Sequence, residues 1–217
     1  MPRTKKEYLF MNSFDLSLYL VTDRALSLGR SLDFVVSEAI KGGVTMVQLR
    51  EKEASTLDFY KQAVQLKEYL KPLHIPLIIN DRIDIALACD ADGLHIGQSD
   101  MPYNVARRLL GKGKIIGLSV ECIQDAIEAN LLDVDYIGIS PVFGTMTKTD
   151  TASAMGLEGV REIARISRHP AVAIGGINRH NAKNIIESGA DGISVVSAIM
   201  SASSPYEAAS ELKNIII

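Results

Sequence analysis

The chain has 217 residues, 47% of them hydrophobic and 23% charged, which supplies one sizeable core and excludes a disordered or fibrous polypeptide. Lysine plus arginine number 23 against 26 aspartate plus glutamate, a net charge of −3; that sets nucleic-acid binding aside and leaves anionic small molecules open. Scattered charges leave no apolar run of roughly 18 residues to span a membrane, and the two distant cysteines, Cys89 and Cys122, form neither a disulfide framework nor a zinc motif.

From the N-terminus, the basic start Met1-Pro-Arg-Thr-Lys-Lys-Glu leads into no long apolar segment, so a cytoplasmic chain without a cleaved signal is expected. Residues 1–15 read as an N-terminal extension. A strand over Leu18–Val21 then precedes a helix over Leu32–Lys41, and Thr45–Leu49 precedes Thr56–Leu70. The alternation continues with Leu77–Ile79 and Ile83–Cys89, Gly93–Ile96 and Val105–Leu110, Ile115–Leu118 and Ile123–Ala129. It closes with Tyr136–Ile139 and Leu157–Ile166, Val172–Ile174 and Arg179–Ser188, and Ile193–Val196 and Pro205–Lys213. Several strands are apolar almost without a break, as a parallel sheet covered on both faces requires. Eight units fit an α/β single-domain (β/α)8 TIM barrel at about 27 residues each; a doubly wound open sheet, the competing layout, rarely needs eight uninterrupted units.

A weak repeat supports the barrel. Ala91-Asp92-Gly93, Val134-Asp135-Tyr136 and Ala190-Asp191-Gly192 each turn a helix end into a strand, and Gly42-Gly43 stands in the same place before the second strand. Asp in such a turn is expected to bond local amides.

Barrel active sites lie at the C-terminal ends of the strands, where this sequence places polar residues repeatedly: Thr22-Asp23, Gln48-Leu49-Arg50-Glu51-Lys52, Asn80-Asp81-Arg82, Gly97-Gln98-Ser99-Asp100, Ser119, Ser140 to Lys148, Gly175-Gly176 and Ser197. Asp81 and Asp100 follow adjacent strands, so their carboxylates can meet at one point. Two hard oxygens that leave room for waters and a phosphate suit magnesium better than zinc; the alternative is that each merely caps a helix. Arg50, Lys52 and Lys148 supply cations able to cradle a leaving pyrophosphate. Gly175-Gly176 and Ser197 fall where barrels build a phosphate site from their last two loops. His95, inside a strand, is expected to pack there, and no nucleophile–base set is visible in the rim loops.

The stretches Gln48–Lys52, Asn80–Ala88 with Gly93–Asp100, Ser140–Lys148, and Ala173–Ile177 with Gly189–Ser197 closely resemble the loops of the thiamine-phosphate synthase family, in order and at matching spacing. The resemblance implies a transferase that joins hydroxymethylpyrimidine diphosphate to a thiazole phosphate, releasing pyrophosphate with one Mg2+ per site. It implies that Gln48, Leu49, Arg50, Glu51, Lys52, Asn80, Ser119 and Lys148 hold the pyrimidine diphosphate. Arg50, Lys52 and Lys148 would be catalytic, and Asp81 and Asp100 would bind the metal. Thr145, Met146, Thr147, Gly176, Val196 and Ser197 would hold the thiazole phosphate. Two phosphorylated small molecules are thus the expected partners, without nucleic acid or membrane, and a homo-oligomer stays open. Many family members carry His where this chain has Glu121, which is expected to serve the start of the following helix instead. A related thiazole tautomerase or a non-catalytic phosphate-binding barrel would lack the acid pair and the basic loops. Gly144–Met155, long and polar, is the expected lid.

Overall fold

The computed structural model describes residues 14–144 and 154–217. Among these, eight parallel strands close into a barrel in sequence order: β1 (Leu18–Val21), β2 (Met46–Leu49), β3 (Leu77–Asn80), β4 (Gly93–Ile96), β5 (Ile115–Val120), β6 (Tyr136–Ile139), β7 (Ala171–Ile174) and β8 (Gly192–Val195). Helices α1 (Leu32–Lys41), α2 (Thr56–Leu70), α3 (Ile83–Ala88), α4 (Tyr103–Leu110), α5 (Ile123–Ala129), α6 (Gly156–Ile166), α7 (Ala182–Glu187), α8 (Ser197–Met200) and α9 (Pro205–Ile216) surround it. Ser31, Ser55 and Ser204 cap α1, α2 and α9 by accepting the amides of Phe34, Asp58 and Glu207, which satisfies donors that a helix start leaves open.

Side chains alternate along every strand. Leu18, Leu20, Val47, Leu49, Leu77, Ile79 and their equivalents point outward and bury against Val36, Phe59, Leu66, Ile163 and Leu212 of the helices. The opposite set points into the lumen, where Leu16, Tyr19, Met46, Ile78, Tyr136 and Val172 form a second, smaller cluster. That cluster fills the lower barrel and leaves the upper lumen to polar residues. Phe14, inside the segment read as an extension, packs edge-on against Tyr136 with ring centroids 6.3 Å apart.

The Asp repeat does something other than bond local amides. Asp92 accepts the Leu77 amide at 2.8 Å and donates its own N–H to the Leu77 carbonyl at 3.0 Å. Asp135 forms the same reciprocal pair with Ile116 at 2.8 and 2.9 Å, and Asp191 with Ala171 at 2.7 and 2.8 Å. Thr45 repeats the arrangement on Leu18, through its hydroxyl at 3.2 Å and its amide at 2.9 Å. Each tie joins the entrance of an even strand to the base of the odd strand before it, so the sequence repeat marks a clamp that recurs every second strand. Arg107 adds a 2.6 Å ion pair to Asp135. Replacing Asp135 by alanine is expected to lower stability by about 2 kcal/mol, since it leaves the partly buried Ile116 amide without its acceptor and removes the ion pair from Arg107. Urea unfolding would read this; an unchanged midpoint would show that the clamp contributes nothing.

Three short elements are too brief to show a helical period in the sequence: 3-10 turns over Arg24–Ser27 and Lys71–Leu73, and the four-residue α8. Conversely, α7 starts only at Ala182 because Asn178 and Asn181 fold the residues before it into a tight turn, with the Asn181 carboxamide accepting the Asn178 amide at 2.8 Å.

Candidate active site

The top of the lumen opens into a cavity of about 410 Å³, a volume suited to a small-molecule ligand. Each strand delivers one of its inward or terminal residues to it. Gln48, the penultimate residue of β2, faces inward and is almost fully buried. The chain leaves the barrel just beyond it, and the next residues sort themselves by direction. Arg50 and Lys52 line the cavity, whereas Leu49 packs outward among the helices and Glu51 turns away to a 2.6 Å ion pair with Arg24. Asp23 holds the Arg50 guanidinium at 3.0 Å, and the buried Thr22 hydroxyl accepts the Arg50 amide at 3.1 Å.

Asn80 and Asp81 follow from β3. Asp81 has φ +60°, a left-handed conformation that Asp tolerates better than most residues, and its amide donates to the His95 carbonyl at 2.9 Å. This twist turns the carboxyl toward Asp100, beyond β4, whose Oδ2 accepts the Gly97 amide at 2.7 Å. The two carboxyl groups lie close enough to shift each other's proton affinity. Burial pushes the Asp100 carboxyl above its ordinary range, and the Asp81 charge adds to this despite the Gly97 amide. At Asp81 burial also acts upward, but Lys52, 2.7 Å from Oδ2, and the bond to Asp100 outweigh it and hold the carboxyl low. The result is a pair of facing carboxyl groups, with Asp100 pushed up and Asp81 held down in proton affinity, and a hard dication placed between them would relieve their mutual repulsion. Among the described residues no group of three or more His, Cys, Asp or Glu side chains gathers to hold a metal, so the carboxyl groups of Asp81 and Asp100 are the candidate protein ligands.

Across the cavity, Gly175 and Gly176 have φ +110° and +64°, and a Cβ at Gly176 would lie 2.8 Å from the Phe143 Cβ and 2.9 Å from the Gly144 carbonyl. Only glycine lets this turn pass so close to the loop after β6. Val196 and Ser197 lie beside it, where the chain breaks from β8 into α8. Ser119 sits on β5 between these two sides. Thr145, Met146, Thr147 and Lys148 lie outside the described residues, as does most of the expected lid.

The profile of the thiamine monophosphate synthase family matches residues 18–199. The chain belongs to this family. A thiamine-phosphate synthase of Syntrophomonas wolfei is 55% identical over 205 residues, covering 94% of this chain and 98% of its own length. One of Albidiferax ferrireducens is 54% identical over 201 residues, 93% of this chain and 92% of that protein. The structure of a thiamine phosphate pyrophosphorylase from Pyrococcus furiosus superposes with a TM-score of 0.85 at 40% identity, covering 93% and 95% of the two chains. Like other members of the thiamine monophosphate synthase family, the chain is a transferase of thiamine biosynthesis.

Besides Leu49 and Glu51, which face away from the cavity, two further placements differ from the sequence reading. Glu121 lines the cavity rather than serving α5; the helix start is held instead by Asp125, which accepts the Glu121 amide at 2.8 Å. His95 is not simply packed within its strand. Its ring lies in the lumen, with Nδ1 2.9 Å from the Tyr136 hydroxyl and Nε2 2.9 Å from Ser119 Oγ. Tyr19 and Tyr136 were likewise missed as site-forming residues. The signal was strand alternation: in Leu18-Tyr19-Leu20, Leu94-His95-Ile96 and Tyr136-Ile137-Gly138 the outward positions are purely aliphatic and the inward ones carry a polar atom or none.

Proposed function

We propose that this chain couples hydroxymethylpyrimidine diphosphate to a hydroxyethylthiazole phosphate, forming thiamine phosphate and pyrophosphate with the help of one Mg2+ ion, in the cytoplasm. The reading is carried by one observation: the Asp81 and Asp100 carboxyl groups face each other beside Lys52, on a cavity also lined by Arg50 and by the Gly175-Gly176 turn. Two carboxylate oxygens fit magnesium, which keeps several waters and takes phosphate oxygens as further ligands. When bound there, the ion would neutralise charge developing on the departing diphosphate.

The chain's own residues do the rest. Arg50 and Lys52 offer positive charge to the same diphosphate, held in place by Asp23 and Asp81 before substrate arrives. Lys148 is assigned to this group as well, while Thr145 to Thr147, Gly176, Val196 and Ser197 are assigned to the thiazole phosphate. Gln48, Asn80 and Ser119 orient the pyrimidine. The bond from the pyrimidine methylene to the diphosphate oxygen breaks, its electron pair leaving with pyrophosphate. The aminopyrimidine spreads the positive charge left on the methylene, and the thiazole nitrogen lone pair then forms the new C–N bond. No protein nucleophile is required, and the protein's contribution is alignment, charge neutralisation and exclusion of water.

Purified protein should release pyrophosphate and form thiamine phosphate only with both substrates and magnesium together, and chelation should stop it. Equal pyrophosphate release from the pyrimidine diphosphate alone, or none with both, would overturn the reading.

A further inference from the structure

Five side chains form a continuous hydrogen-bonded line across the lumen. Gln48 Nε2 donates to the Tyr19 hydroxyl at 2.7 Å. Tyr19 and Tyr136 bond through their hydroxyls at 2.9 Å, Tyr136 bonds to His95 Nδ1 at 2.9 Å, and His95 Nε2 reaches Ser119 Oγ at 2.9 Å. The first donor is fixed, because an amide nitrogen has no lone pair to accept with. The direction of every later bond follows from where the tyrosine protons can go.

Tyr19 is 1% exposed and Tyr136 is fully buried, and both hydroxyls are held protonated far above their ordinary range by burial. Were His95 to carry a proton on Nδ1, the Tyr136 oxygen would have to accept it and send its own proton to Tyr19. Tyr19 would then accept twice, from Gln48 and from Tyr136, and its own buried proton would have no acceptor. The hydroxyl of Ser194, which neighbours Tyr19 on the adjoining strand, has no partner within hydrogen-bond distance and cannot receive it. Stranding a buried hydroxyl proton is costly. The opposite polarity satisfies every group: Gln48 donates to Tyr19, Tyr19 to Tyr136, Tyr136 to His95 Nδ1, and His95 Nε2–H to Ser119.

From this geometry we infer that Tyr19 and Tyr136 are positioning residues, which fix His95 with its proton on Nε2 and thereby make Ser119 a hydrogen-bond donor toward an acceptor atom of the ligand. With Nε2 already protonated, Ser119 cannot give its proton to His95. Its hydroxyl hydrogen is directed into the cavity, where it selects a lone pair and disfavours an N–H. A neutral heteroaromatic ring nitrogen has that chemistry. That this ring is the pyrimidine of the diphosphate substrate rests on the function proposed above; the polarity of the line does not.

The test therefore has two arms. In the ligand-free protein, long-range nitrogen–proton NMR at pH about 8, above the ordinary imidazole range, should show His95 Nδ1 bare and Nε2 protonated, with the signals assigned by their loss in His95→Gln. Tyr136→Phe and Tyr19→Phe should each turn this pattern into a mixture of tautomers; two variants are used because either one alone disturbs packing. A wild-type Nδ1–H form, or signals unmoved in both variants, would overturn the inference. In the kinetic arm, both variants should raise KM for the pyrimidine diphosphate by about five- to tenfold, the loss of roughly one hydrogen bond, with kcat and the KM for thiazole phosphate changing less than twofold. A loss confined to kcat would overturn the selection of a pyrimidine acceptor. Expected NMR patterns in a protein that releases no pyrophosphate would support the polarity and overturn the coupling reaction instead.

Discussion

Asp81→Asn is expected to lower magnesium-dependent pyrophosphate release by about a hundredfold or more, the scale on which removal of a preorganised charge from a reacting anion is felt. The substitution is chosen for its backbone. Asp81 lies at φ +60°, where asparagine is tolerated but alanine is strained by about 1–2 kcal/mol, so asparagine separates loss of charge from loss of fold. The Lys52 ion pair it breaks has a lysine side chain 54% exposed, and such exposed pairs contribute little to stability. Thermal midpoints of the variant and of the wild-type protein should accordingly agree closely, while the magnesium concentration for half-maximal rate rises steeply. Asp100, no longer pushed upward by a neighbouring charge, remains as a single carboxylate and cannot restore the pair. An unchanged rate with an unchanged magnesium response would remove Asp81 from the metal site.

How much of this was legible beforehand depended on length scale. The barrel was readable because outward-facing aliphatic residues such as Leu18, Leu20, Val47 and Leu49 recur strand after strand, and a parallel sheet buried under helices leaves that record. The rim was readable because Asp81, Asp100, Lys52 and Gly176 follow strands directly and therefore share one face. Within a loop, direction could not be read: Glu51 stands between Arg50 and Lys52, yet it turns to Arg24 while its neighbours line the cavity. The four-residue α8 is too short to show any period. The lumen residues were missed for another reason. A buried Tyr or His inside a strand reads as ordinary packing until register is known, and only the closed barrel brings Tyr19 of β1 within 2.9 Å of Tyr136 of β6, 117 residues apart.

The glycine beside that contact gives the second large expected effect. Gly117 faces the lumen from β5, paired with His95 on one side and Tyr136 on the other. A Cβ there would stand 2.1 Å from Tyr136 Cζ, 2.4 Å from its hydroxyl and 2.5 Å from His95 Nδ1, separations that no relaxation of Gly117 alone can relieve. Tyr136 has nowhere to withdraw: it packs edge-on against Tyr19 at 5.9 Å and Phe14 at 6.3 Å and stacks on His95 at 5.5 Å. Gly117→Ala should therefore cost about 3 kcal/mol or more, at the upper end of overpacking penalties, and should displace the Tyr136 hydroxyl from His95 in whatever protein still folds. Gly138→Ala provides the graded comparison, because its Cβ would meet only the His95 ring, at 3.1 Å from Cε1, and a few tenths of an ångström of ring movement would admit it. Urea unfolding should rank wild type first, then Gly138→Ala, then Gly117→Ala by a wide margin. Equal stability of the two variants would mean that the space beside Gly117 is not occupied by Tyr136, and the hydrogen-bonded line through the lumen would lose its central link.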